Sequence, residues 1–279
     1  YGAVPKDLFP ETESSKNTGE MNTQLRHLLH TAVAHMYAAE GDTAKVEQII
    51  AETTAAGHRI LTIHLGEPPV SFDWEWTDAD GEFHRDGEIT PVEFWKKYVG
   101  PAGLEDYVCL VDDPRAEHAK GKKIGIEHLG NVAGGDATEY LNVPNQFMKD
   151  CVKQILVEQG IPVWFGADCH PFMDRESGAW ATDLFEYGKV YDVDFDLDKE
   201  ARVRFGDSAM NHAMAFAGVD VADDGTTRRW RVENSWGAKI ADKGYFTMSD
   251  DWFTEYVYEV AVPKSMLPAE YQKALEEPA

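Results

Sequence analysis

Cysteine is scarce in this chain: three among 279 residues, Cys109, Cys151 and Cys169. Their scattered positions form neither a disulfide framework nor a zinc spacing, which excludes a disulfide-stapled scaffold and fits the reducing cytoplasm. Long apolar runs are missing as well. No stretch approaches the about 18 residues that a membrane-spanning helix needs, and no leading apolar segment signals export. Basic residues are few, 26 Lys and Arg against 50 Asp and Glu, for a formal charge of -24. Such a surface repels a phosphate backbone, and the basic residues form no long tract, so nucleic acid is not expected as a partner. There is no internal repeat and no low-complexity segment. What is abundant is material for a packed interior: 43% hydrophobic residues and eight Trp, in a chain long enough for one large or two smaller domains.

Apolar spacing divides the chain. Met21, Leu25, Leu28, Leu29, Ala32, Val33 and Met36 lie on one side of a helix expected over Gly19 to Glu40, with Gly41 as its stop. A second helical stretch starts at Asp42 and runs towards Ile60-Leu61-Thr62-Ile63, with a break expected near Gly57. Phe72, Trp74 and Trp76 alternate as a strand, Thr77-Asp78-Ala79-Asp80-Gly81 turns into a second strand around Phe83, and Thr90-Pro91-Val92-Glu93 carries the signs of a capped helix start. Gly121 to Tyr140 holds five glycines and little periodicity, and is expected to be mostly loop with a short strand near Ile124. Phe147, Met148, Cys151, Val152, Ile155 and Leu156 make one face of a helix over Asn145 to Gln159, ended by Gly160 and followed by the strand Val163-Trp164-Phe165.

The chemistry concentrates in the last third. His212 to Val219 alternate as a strand, expected to pack on the face bearing Ala213, Ala215, Ala217 and Val219. Trp230, Val232 and Asn234 alternate in turn, and the intervening Asp220 to Thr227 is rich in turn-forming Asp and Gly, so a β-hairpin is expected. Folding about Asp223 makes His212 and Asn234, twenty-two residues apart, direct cross-strand partners. A histidine oriented by an amide is two thirds of a Cys-His-Asn device, in which the imidazole takes the proton of a thiol and later returns it to a leaving amine. Trp236, in Asn234-Ser235-Trp236-Gly237, is placed to shield the His-Asn hydrogen bond from water.

These residues resemble the histidine and asparagine segments of papain-like cysteine peptidases, and one branch in particular, the bleomycin hydrolase and bacterial aminopeptidase C family. The resemblance extends through Tyr1-Gly2-Ala3-Val4-Pro5-Lys6, Leu65-Gly66-Glu67-Pro68-Pro69, Phe72-Asp73-Trp74-Glu75-Trp76, Val111-Asp112-Asp113-Pro114-Arg115, Val163-Trp164-Phe165-Gly166-Ala167-Asp168, Gly206-Asp207-Ser208 and Trp252-Phe253-Thr254-Glu255-Tyr256-Val257-Tyr258-Glu259-Val260. It implies an α+β papain-like fold: an inserted, mainly helical region with a small β-hairpin over 1–140, and the β-barrel half with the catalytic His212 and Asn234 over 141–279. It implies a cysteine aminopeptidase acting on peptides from the amino end through a thioester, cytoplasmic, cofactor-free and homohexameric. In that family the nucleophilic Cys and an oxyanion-hole glutamine precede the Tyr-Gly-x-Val-Pro-Lys motif, so this chain is expected to be inactive without such a segment. The family's tail also continues past Glu276-Glu277-Pro278 into an arm in the active-site cleft. A catalytically silent scaffold or assembly subunit of the same fold is the alternative.

Within the chain the competing sites are weak. Cys169-His170 has the right order relative to Asn234, but Asp168 and Pro171 supply no helix N-terminus to activate a thiol. His27, His30 and His35 share a helix without the further ligands that zinc requires, so no metal is expected. Cys109 and Cys151 sit in apolar runs as small hydrophobes. Asp207-Ser208 fits a turn as well as a pocket lining.

Overall fold

Two compact units divide the chain, Tyr1–Leu104 and Glu105–Ala279. They are seen in a computed structural model that describes residues 2–100, 103–126, 129, 134–135, 137–195 and 197–277. Tyr1, the tail at Pro278 and Ala279, and much of the expected glycine-rich loop between 127 and 136 lie outside the described residues.

In the first unit, α1 (Gly19–Ala38) and α2 (Thr43–Leu65) pack on each other. Asp42 starts α2 by accepting the Lys45 N–H on its side chain. The break expected at Gly57 does not occur. A single glycine costs about 1 kcal/mol in a helix, little against 23 helical residues, and it faces α1, where even a Cβ would make only an ordinary contact with Leu25 at 3.9 Å. Of the expected apolar face of α1, Met21 and Ala32 are buried, whereas Leu29 and Val33 are exposed. Strands β1 (Phe72–Thr77) and β2 (Phe83–Ile89) form the expected antiparallel hairpin. The short α3 (Pro91–Phe94) opens with a complete capping box between Thr90 and Glu93.

The second unit contains β3 (Tyr107–Val111), β4 (Lys122–Gly125), β5 (Glu139–Asn142), α4 (Asn145–Gln154), β6 (Val163–Ala167), β7 (Met173–Asp174), β8 (Ala179–Trp180), α5 (Tyr187–Tyr191) and α6 (Lys199–Phe205). It continues with β9 (His212–Val221), β10 (Thr227–Glu233), β11 (Tyr245–Ser249), α7 (Asp250–Tyr256), β12 (Val257–Pro263) and α8 (Ala269–Glu276). One ten-stranded sheet runs β4-β5-β3-β12-β6-β9-β10-β11-β8-β7. The division expected at 140 therefore falls inside β5, whose partner strands β3 and β4 belong to the same sheet as His212. The core is aromatic: Phe165 stacks on Phe216, and Phe253 of α7 packs against both Phe216 and Trp230.

The packed face of β9 is the opposite of the expected one. Met214 and Phe216 are buried while Ala213 is exposed; the larger side chains remove more apolar area from water and so set the inward face. His212, in phase with Met214 and Phe216, thereby starts the strand on its core side.

Lys149, 5% exposed, ties α4 to α7. Its ammonium donates to Asp250 Oδ2 at 2.6 Å, to the Asp250 carbonyl at 2.9 Å and to Thr254 Oγ1 at 2.6 Å. The other oxygen of Asp250 accepts from Thr227 and Trp230. Lys149→Ala should destabilise this unit by about 2 kcal/mol, discounted because Asp250 still reaches solvent. Calorimetry should register a Tm about 6 °C lower; an unchanged Tm would show that the contact contributes nothing net.

Candidate active site

The β9–β10 hairpin brings His212 and Asn234 together by a different register from the one the numbering suggests. Pairs run from Val221↔Thr227 to Ala215↔Glu233, with irregularities between Thr227 and Arg229 and between Arg231 and Val232. The last pair sums to 448 (215 + 233); continued, that register sets His212 opposite Trp236, two residues beyond Asn234. An even displacement keeps side chains on one face, so Asn234 becomes a diagonal neighbour instead of a direct one. β10 ends at Glu233, and Asn234 just beyond it gives its N–H to the Gly244 carbonyl at 3.1 Å, on the β11 side.

The two side chains meet at 3.0 Å, His212 Nε2 to Asn234 Oδ1. An amide oxygen only accepts, so Nε2 carries the hydrogen and the Nδ1 lone pair is left open. Nδ1 has no hydrogen-bond partner among the described residues. Asn234, 8% exposed, also accepts the Ser235 N–H on Oδ1 at 2.8 Å, which fixes its carboxamide. Trp236 stacks on the imidazole with centroids 5.2 Å apart and planes at 23°. The indole is therefore near-parallel to the imidazole, with Phe246 edge-on to it and the Arg175 guanidinium 4.4 Å from its ring centroid. Arg175 had no signal in the sequence, because its role depends on a turn between two-residue strands.

The start of β9 is braced by polar contacts that the motifs only hinted at. His212 pairs with Ala167 across β6. The preceding Asn211 gives its N–H to the Ala167 carbonyl at 3.0 Å, its amide to Asp168 Oδ1 at 2.6 Å, and accepts the Cys169 N–H at 3.1 Å. Ser208, read from sequence as turn or pocket, is buried and donates to Asp168 Oδ2 at 2.8 Å while sitting 2.8 Å from the Tyr258 hydroxyl.

None of the chain's thiols is set up as a nucleophile. Burial pushes Cys109 up to about 12, reinforced by the neighbouring Glu259, and Cys151 up to about 11. Cys169 is also raised, by burial first and then by Asp168, and is only 2% exposed. At pH 8 the native thiols should resist iodoacetamide, since at such values fewer than about one in a hundred of Cys109 and Cys151 is ionised, and Cys169 is closed to the reagent by its burial. Mass spectrometry should find three adducts after denaturation and essentially none before; rapid native labelling of Cys169 would revive it as a reactive centre.

A sheet entered by a core helix, with an imidazole and a carboxamide paired across one hairpin and roofed by an indole, belongs to the papain-like peptidase class. The whole chain, residues 1–279, matches the model of the Peptidase C1-like family, and the chain belongs to that family. It is 41% identical over 280 residues to aminopeptidase C of Lactobacillus delbrueckii subsp. lactis and 37% identical over 287 residues to bleomycin hydrolase of Homo sapiens. Each comparison covers 99% of this chain and 62% of the relative's length. The crystal structure of PepW from Lactobacillus rhamnosis superposes with a TM-score of 0.93 at 39% identity, over 99% of this chain and 62% of that one.

Proposed function

We propose that this chain supplies the histidine-asparagine part of a cysteine aminopeptidase, with the sulfur nucleophile contributed by residues outside these 279. The observation that carries the reading is the 3.0 Å contact between His212 Nε2 and Asn234 Oδ1, which leaves Nδ1 as the one open base. A thiol facing Nδ1 gives up its proton to the imidazole, and the thiolate attacks the scissile carbonyl carbon. As the tetrahedral intermediate collapses, Nδ1–H returns the proton to the leaving amine and a thioester remains. Water, deprotonated by the same nitrogen, then releases the acid and restores the thiol. Asn234 keeps the Nε2–H tautomer throughout, and Trp236 excludes water from the hydrogen bond it covers.

The relatives' names support an exopeptidase working from the amino end, and the resemblance extends the reading to a cytoplasmic homohexamer. The test uses this chain joined to a Gln-Gly-x-x-Gly-x-Cys-Trp segment. A fluorogenic aminoacyl amide with a free α-amine should turn over at least about tenfold faster than its N-acetylated counterpart, the difference set by one charged contact to the amine. Equal rates would leave the peptidase reading standing and remove the aminopeptidase one.

A further inference from the structure

Among the described residues, Arg175 is the one arginine of the second unit without an acidic partner. Arg115, Arg202, Arg204, Arg228, Arg229 and Arg231 each have a carboxylate oxygen within 3.7 Å. Arg175 is exposed, and its guanidinium lies instead over the face of Trp236, 4.4 Å from the ring centroid. A guanidinium on an indole spends its charge on the ring's negative face and keeps its fork of N–H donors directed outward from its own edge. In a chain with 50 acidic and 26 basic residues, a fork left bare calls for an explanation.

The backbone fixes where that fork stands. Between β7 and β8 the Asp174 carboxylate accepts the N–H groups of Glu176 and Ser177, each at 3.2 Å, and the Asp174 carbonyl accepts that of Gly178 at 3.0 Å. Gly178 sits at φ +71°, where a Cβ would stand 2.4 Å from that of Ala241, so glycine alone closes this turn without strain. Its carbonyl accepts the Thr247 N–H at 2.8 Å, which anchors the turn to β11. Phe246 of the same strand packs edge-on against Trp236. Turn and indole are thus both referred to β11, and Arg175 is set beside the His212–Asn234 hairpin by the sheet.

We propose that Arg175 determines specificity on the leaving side of the scissile bond by pairing with a carboxylate on the leaving residue. This rests on the peptidase reading and names the substrates its site favours: those whose leaving residue carries a terminal α-carboxylate, as in a dipeptide, or an acidic side chain. The imidazole and indole centroids are 5.2 Å apart, so the guanidinium stands no more than about 10 Å from the ring that returns its proton to the leaving amine. One residue covers that span, with about 2.5 Å from amine nitrogen to carboxyl carbon and a hydrogen bond of about 3 Å at each end. The neighbouring Asp174 carboxylate is engaged within its own turn, which leaves the fork open to two parallel N–H···O bonds with substrate. The formal charge of -24 opposes anionic substrates in general, so a preference for them is the mark of a local cation.

The test compares kcat/KM within one enzyme, the chain joined to its nucleophile segment, so that any general change in catalysis cancels. Leu-Ala against Leu-Ala-amide reads the α-carboxylate, and Leu-Asp-amide against Leu-Asn-amide reads the side chain. At least one pair should favour the carboxylate by about tenfold or more, and Arg175→Gln should bring that ratio to about one, which a purely structural role would not do. Preference in the first pair alone assigns a terminal carboxylate, and in the second alone an acidic side chain. The wild-type ratios decide even if the variant fails to fold: turnover of both pairs without preference overturns the carboxylate site and leaves the peptidase reading intact. An inactive joined protein overturns the peptidase reading instead, and the isolated chain then decides this one by nuclear magnetic resonance. The Arg175 Nε–H signal should shift with N-acetyl-alanine and not with its amide, and no shift at about 50 mM would overturn the site.

Discussion

Replacing His212 with Ala in the enzyme that carries both this chain and its nucleophile should lower kcat by about 10⁴-fold or more. The reason is positional. With Nε2–H committed to Asn234, the Nδ1 lone pair of His212 is open beside the hairpin, and every proton transfer in the proposed cycle passes through it. His170 is no substitute, because its Nδ1 lies 3.1 Å from the Asn211 amide and it stands outside the Trp236 stack. KM should change little, as the imidazole adds little to ground-state binding. Asn234→Ala should be milder, about 10²-fold in kcat, since it removes the orienting acceptor and keeps the base. Equal losses for the two variants would mean that Asn234 does more than orient. Steady-state kinetics on an aminoacyl amide, with near-ultraviolet circular dichroism to confirm folding, separates these outcomes.

Much of this site was legible because hairpin chemistry is local. The even separation of His212 and Asn234, the alternating apolar residues around each and the Asp-Gly turn between them suffice to place both side chains on one face. The register was not legible. Its two irregularities, at Thr227–Arg229 and Arg231–Val232, are marked by no residue in the run. The inward face of β9 was misjudged from its alanines, since small residues fit a close contact and an exposed position equally well; the neighbours Phe165 and Phe253, distant in sequence, made the choice.

The extent of the sheet was hidden for a similar reason. β3 joins β5 in parallel across about 30 residues of chain, and β5 is only four residues long, so neither carries a periodic signal of its own, whereas β4 is the short strand expected near Ile124. Helices with long periodic faces were legible to within a few residues, as α4 illustrates. Glu259 stood in view as the lone acidic residue of Val257-Tyr258-Glu259-Val260-Ala261-Val262, but the bulge that sets it beside Gly166 depends on β6.

The most direct test of the account is turnover by the isolated 279-residue chain against the same chain joined to a Gln-Gly-x-x-Gly-x-Cys-Trp segment, assayed on one free-amine aminoacyl amide. Thiols whose ionisation is opposed at Cys109, Cys151 and Cys169, and the open His212 Nδ1, predict no thiol-dependent hydrolysis by the chain alone, and hydrolysis restored with the segment but not with its Cys changed to Ser. Iodoacetamide-sensitive turnover by the isolated chain, or none by the joined protein when it is folded, would contradict it.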